Sequence, residues 1–227
     1  MEGTLLALLS IIVIDIVLGG DNALVIALAT RNLQGKTKTQ AIIWGTVGAI
    51  VLRIGLTFCA IYLMGIPYVQ VVAGFLLLYI AIKLLKGEDE NHDLKGGDSF
   101  WKALYTIIIA DFAMSLDNVL AVAGASGGHT VLMVIGLLIS LPIIVWGSQL
   151  ISKIMEKFPI IITIGSGLLG FVAGEMMMKD KAVGHIIEGW HIGHYTLPIV
   201  LAVVVMVVGT MLGKKRNKQE KQLQKAS

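Results

Sequence analysis

Cysteine is nearly absent: Cys59 is the sole one among 227 residues, and it lies inside an apolar run. That excludes an intrachain disulfide and a thiolate metal cluster. Any bound metal must therefore be held by oxygen or nitrogen. The first ten residues, MEGTLLALLS, contain Glu2 and no Lys or Arg. They lack the positive start of a cleaved signal peptide, so the first apolar stretch is expected to be retained. Missing too are the ten-residue alternating segments of a transmembrane β-barrel. Charged residues make up only 15% of the chain.

Hydrophobic residues fill the space instead, at 56% of the chain with a mean hydropathy of +0.83. A soluble domain has about 45 to 50% apolar residues even with glycine included. Continuous blocks of Leu, Ile, Val, Ala and Gly lie near residues 4–30, 40–64, 68–85, 102–125, 130–151, 159–178 and 196–213. Each approaches the roughly 20 residues that a helix needs to cross hydrocarbon. The expectation is an all-α polytopic membrane protein with seven transmembrane helices.

Basic residues divide unevenly between the two sides of such a protein. With the N-terminus outside, fifteen of the eighteen Lys and Arg fall on inner loops and the tail, among them Arg31, Lys83, Lys102, Lys153 and Lys214. Lys179 and Lys181 fall outside, and Arg53 lies within the second span. The positive-inside bias therefore predicts an N-out, C-in protein of the cell membrane. The tail GKKRNKQEKQLQK, next to the last span, reads as an anchor on anionic lipid rather than a nucleic-acid arm, and is expected to be disordered.

Two stretches repeat. IDIVLGGDNALVIALAT carries Asp15 and Asp21, and 96 residues later ADFAMSLDNVLAVAGAS carries Asp111 and Asp117. Pro67 and Pro159 open the third span of each half, and FLLLYIAIK (75–83) matches GLLGFVAGE (167–175) at the same offset of 92. Three spans per copy is odd, so the second copy must enter the membrane in the opposite sense, giving two inverted three-helix repeats. The expected division is 1–86, a connector at 87–101, 102–178, an outer loop at 179–195, a seventh helix outside the repeat at 196–213, and the tail 214–227.

An Asp within a span opposes insertion by about 2.5 to 3.5 kcal/mol, so four oppose it by roughly 10 to 14 kcal/mol. Folding alone does not explain such a cost at duplicated positions. Inversion pairs Asp15 in depth with Asp117 and Asp21 with Asp111, in layers roughly 9 Å apart if the helices stay regular. Gly19 and Gly20 predict a break in the first span that would let Asp15 and Asp21 converge. The fourth span has Met114 and Ser115 at the corresponding place, a weaker basis for a break. Whether the four acids hold one ion or form two layers stays open.

Asn22 and Asn118 follow the second Asp of each pair and add neutral oxygens. Carboxylate and amide oxygens suit hard divalent ions such as Mn²⁺, Mg²⁺ or Ca²⁺. Displacement of protons by such an ion makes proton-coupled exchange a natural mechanism, though a uniporter or channel could use the same acids. The competing structural reading pairs the acids with buried cations or keeps them as protonated structural groups, yet Arg53 alone cannot balance four. Ser10, Thr30 and Ser115 could lend hydroxyl oxygens, against the commoner reading of helix-backbone bonds.

Glu175 is a fifth acid, with functional and interfacial readings in balance. His185, Glu188, His191 and His194 could capture a transition metal, but an interfacial loop anchored by Trp190 and Tyr195 is the preferred reading. His92 lies in an acidic connector, GEDENHDLKGGD. Gly170 and Gly174 form a small-xxx-small pair expected to pack helices closely, with a homodimer left open.

The two acidic DN motifs, IDIVLGGDNALVIA and ADFAMSLDNVLAVAG, on the first spans of two repeats, closely resemble the TerC family of integral membrane proteins, in particular its YjbE-like group. The resemblance covers nearly the whole chain. It implies a role in metal-ion homeostasis, with manganese(II) export as the leading activity and Mn²⁺ as cargo rather than a resident cofactor. It also implies that Asp15, Asp21, Asn22, Asp111, Asp117 and Asn118 form the metal pathway, with Arg53 and Glu175 secondary. The absence of Gly-Gly before Asp117 departs from a symmetric site. Two other classes remain: an intramembrane aspartyl protease, whose usual G-x-G-D is not matched by Leu18-Gly19-Gly20-Asp21, and a non-transporting partner in metallation of exported proteins or a metal-stress complex. The expected answer is a transporter, not an enzyme.

Overall fold

Apolar residues run without alternation through every long stretch, and the regular structure among the described residues is helix alone. The computed structural model describes residues 2–63, 66–86, 96–125, 129–180, 182–183 and 195–226. The helices are α1 (Glu2–Leu18), α2 (Gly20–Ala29), α3 (Gly35–Leu63), α4 (Val69–Lys86), α5 (Gly96–Ala125), α6 (Thr130–Lys157), α7 (Ile160–Lys179) and α8 (Thr196–Ala226). Stretches within α3 to α8 supply six helices long and apolar enough to cross a membrane. The pair α1 and α2, bent by 48° at its break, makes a seventh if counted as one span.

Gly19 is where the first span breaks. A Cβ there would collide with the carbonyl oxygen of Asp15, whereas a Cβ at Gly20 would meet nothing within 4 Å. Only the first glycine is sterically required. By contrast α5 runs unbroken past Asp111, Met114 and Ser115, so the fourth span has no counterpart of this break.

The tail departs from expectation. Rather than ending near Gly213, α8 continues as helix to Ala226. Its Lys, Gln, Glu and Leu are strong helix formers with no glycine or proline beyond Gly213, so the helix propagates past the apolar segment. Similarly, α5 begins at Gly96, so the last part of the expected 87–101 connector is helical. Apolarity marks the edge of the hydrocarbon, not the end of a helix.

The helices pack crosswise between the halves of the chain: α3 lies against α5, α1 and α2 against α6, and α4 against α7, while α8 covers α7 and α4. Small residues set the closest approaches. A Cβ at Gly170 would stand 2.9 Å from the Leu201 carbonyl oxygen and one at Gly174 would stand 2.5 Å from the Pro198 Cα. This glycine pair therefore serves packing within the chain, against α8.

Asp180, at the end of α7, is 3% exposed and its carboxylate accepts the backbone N–H groups of Tyr68, Gln70 and Ala182 at 3.2, 3.2 and 2.9 Å. It thereby satisfies orphan donors at the start of α4. Tyr68 adopts a φ of 67°, unusual for a bulky residue, where the chain turns into α4.

Large apolar side chains face outward along the helices, among them Val17, Phe58, Phe75, Trp146 and Ile164. The inside is largely apolar as well, with an ionic cluster set among its helices. A cluster of Ile11, Ile50, Met133 and Leu137 joins α1, α3 and α6. One helical turn beyond Ile11, Ile50 and Leu137 stand Asp15, Arg53 and Ser140. This seam positions three polar side chains against one another.

Candidate cation-binding cleft

Arg53, 3% exposed on α3, is the hub of the buried polar cluster. Its Nη1 donates to Asp15 Oδ1 on α1 in a short bond. Nη2 donates to Asp111 Oδ1 on α5 at 2.7 Å, and Nε donates to Ser115 Oγ at 3.0 Å. Ser115 in turn donates to Asp111 Oδ2 at 2.9 Å. The remaining oxygen of Asp15 accepts a short bond from Ser140 Oγ on α6. All three arms of the guanidinium and all four oxygens of these two carboxylates are thus engaged. Four helices, α1, α3, α5 and α6, are tied at a single point.

The bend at Gly19 turns α2 so that Asp21 is within electrostatic reach of both Arg53 and Asp111. Asp21 Oδ1 accepts the backbone N–H of Asn22 at 2.9 Å. Asn22 is buried, and its side-chain oxygen has no hydrogen-bond partner. An amide oxygen of this kind can accept a hydrogen bond or bind a cation. Asn22, Arg53 and Asp111 line one narrow cleft, walled by Thr46, Val25, Ile26, Ile50, Ile107 and Met114. One guanidinium faces three carboxylates here, so negative charge is left over if all are ionised.

The structure joins Asp15 with Asp111 through Arg53, a link that the depth pairing read from the sequence did not contain. Asp117 belongs to α5, but its side chain lies outside the described residues; Asn118, one position on, is half-buried. Among the described residues no three His, Cys, Asp or Glu side chains are arranged to hold a metal ion. Glu175 is half-buried on α7 and is not part of the cleft lining. The cluster at His185, Glu188, His191 and His194, and His92, lie outside the described residues.

Ser10 and Thr30 make backbone bonds within their helices, to Leu6 and Ile26 at 2.8 and 2.7 Å. Ser115 instead bonds to the ionic cluster. Ser140 in the cluster and Thr46 on the cleft wall were not legible, because a serine or threonine in an apolar helix carries no sign of which face it occupies. No spacing rule would have found them.

These features define a multi-pass helical membrane protein with an ionic cluster buried between its helices. The chain belongs to the integral membrane protein TerC family, whose sequence profile matches residues 2–220. It is similar to the membrane protein YjbE of Bacillus subtilis (strain 168), 47% identical over 203 residues, which cover 89% of this chain and 93% of that protein. YkoY of the same organism is 27% identical over 196 residues, covering 77% of this chain and 60% of YkoY. The inner membrane protein YoaE of Escherichia coli (strain K12) is 25% identical over 203 residues, covering 81% of this chain and 39% of YoaE. No solved structure matches.

Proposed function

We propose that this protein carries a divalent cation, Mn²⁺ foremost, across the cell membrane through the cleft beside Arg53, in the export direction. The observation that carries this reading is the Asn22 side-chain oxygen, buried without a partner on the wall that Asp111 shares, with Asp21 in electrostatic reach. A hard cation meets the needs of all three: it supplies charge to the carboxylates and a partner to the amide oxygen. Asp117 and Asn118, further along α5, are the proposed donors for the rest of the pathway.

Arg53 has the role of a resident counter-ion in this proposal. It holds Asp15 and Asp111 while no cargo is present, and an arriving ion competes with it for Asp111. Asp15, saturated by Arg53 and Ser140, anchors the guanidinium rather than meeting the ion first. Such competition lets the site release cargo, because Arg53 takes the carboxylate back. Protons displaced from the acids are the proposed counter-flow.

Alternating access between inverted repeats, N-out and C-in, is the proposed motion. Its support is the crosswise packing: the first span of each proposed repeat lies against the second span of the other, and third meets third. A two-fold axis in the membrane plane would generate that pattern. Lys38 and Glu156, ion-paired at 2.7 Å, bring the start of α3 and the end of α6 to the proposed inner side.

A protease reading is less well served. An aspartyl dyad needs two carboxylates sharing a proton, whereas Asp15 and Asp111 are bound to separate arms of a guanidinium. Reconstitution separates the transport reading from that of a non-transporting partner. Purified protein in proteoliposomes, with an internal pH dye, is expected to move Mn²⁺ unaided, and Asp21→Asn or Asp111→Asn is expected to cut the flux at least tenfold. Absence of flux by the native chain would reject transport, and flux without proton movement would reject antiport alone.

A further inference from the structure

We propose that a second cleft, where α2 and α4 end and α5 begins, binds the phosphate headgroup of an anionic phospholipid. Its cations come from three separate segments: Arg31 beyond α2, Lys83 on α4 and Lys102 on α5. Ser99, Thr106 and Asn32 add uncharged hydrogen-bonding groups, and the cleft is partly open to the surroundings. Among the described residues no Asp or Glu lines it. Lys83 and Lys102 reach the cleft from different helices, and a phosphate offers the two ammonium groups a common partner.

The cleft also has an apolar side. Ala29 and Leu84 are half-buried along it over the buried Leu28, Leu33 and Ala103, so a ligand with a phosphate at one end and hydrocarbon at the other matches both surfaces better than a free ion does. Its depth agrees. The apolar stretches of α4 and α5 end at Lys86 and start at Ser99, so Lys83 and Lys102 lie within one turn of those ends. Trp101 and Tyr105, about two-thirds exposed beside Lys102, are the side chains that favour the headgroup layer. Basic clefts between helices at this level hold lipid phosphates. A lipid seated there would brace the end of α2, whose other end carries Asp21 and Asn22.

Native mass spectrometry of the purified full chain tests this, with phosphatidylglycerol against phosphatidylcholine and with glycerol phosphate as the soluble probe. The native chain is expected to retain one phosphatidylglycerol that phosphatidylcholine does not replace. Lys83→Gln with Lys102→Gln is expected to weaken that retention at least tenfold. Lys83→Arg with Lys102→Arg should keep it, as should Lys214→Gln with Lys215→Gln on the tail. Unchanged retention in the paired Gln variant would overturn the proposal. So would equal affinity for glycerol phosphate, which would make this a site for free phosphate. Retention that appears only after Glu88, Asp89, Glu90 and Asp93 are changed to Asn or Gln would make the acidic connector the occupant instead.

Discussion

Arg53 concentrates the energetics of this protein at one side chain. Burying a guanidinium and two carboxylates is tolerable only while each satisfies the others, and removing one partner of a buried pair costs about 3 to 5 kcal/mol. Arg53→Met should therefore lower thermal stability in detergent by an amount in that range, with Asp111→Asn milder because Ser115 remains to bond the amide. Asn22 behaves oppositely. Its side-chain oxygen has no partner, so Asn22→Leu removes a buried, unsatisfied acceptor and should melt within about 1 kcal/mol of the native chain or above it. Cation flux should nevertheless fall. A melt and a flux assay on this one variant separate a ligand from a structural residue. In the sequence, Arg53 was visible as the lone cation of a span, but its partners lie 38 and 58 residues away and no periodicity names them. Ser140 was hidden for the same reason.

Among the elements, the broken first span is the part the sequence announced and the structure refined. Gly-Gly before Asp21 predicted a break, and only Gly19 has a carbonyl where its Cβ would be. Gly19→Ala should destabilise by about 1 to 3 kcal/mol, as overpacking does. Gly20→Ala should be neutral or stabilise by up to about 1 kcal/mol, since alanine is the better helix residue. Circular dichroism melts of the two variants check this, and equal effects would refute the distinction. The second Asp motif resembles the first closely enough to suggest equivalence, yet α5 stays continuous, with Met114 and Ser115 in place of the glycines. Composition gave no warning that the tail would remain helical, since polar helix formers look alike in a disordered arm and in the extension of a long helix.

For the whole molecule, apolar run lengths fixed the helical class and six of the spans, while the way the helices pack came only from the coordinates. Asp180 shows why. Read in sequence, it is one more acid after a span; folded, it closes the start of α4 from the end of α7. Asp180→Ala should cost about 0.5 to 2 kcal/mol, the usual loss of a helix cap, in a detergent melt. A change of nothing would mean that the clasp is incidental.

In the proposed mechanism a divalent cation competes with Arg53 for the cleft that Asn22 and Asp111 share. Equilibrium binding of Mn²⁺ to the purified native chain, to Asn22→Leu and to Asp111→Asn, each checked for native helix content, measures this most directly. The prediction is one saturable site weakened at least tenfold in both variants, about 1.4 kcal/mol or more. Undiminished binding in both folded variants would contradict it.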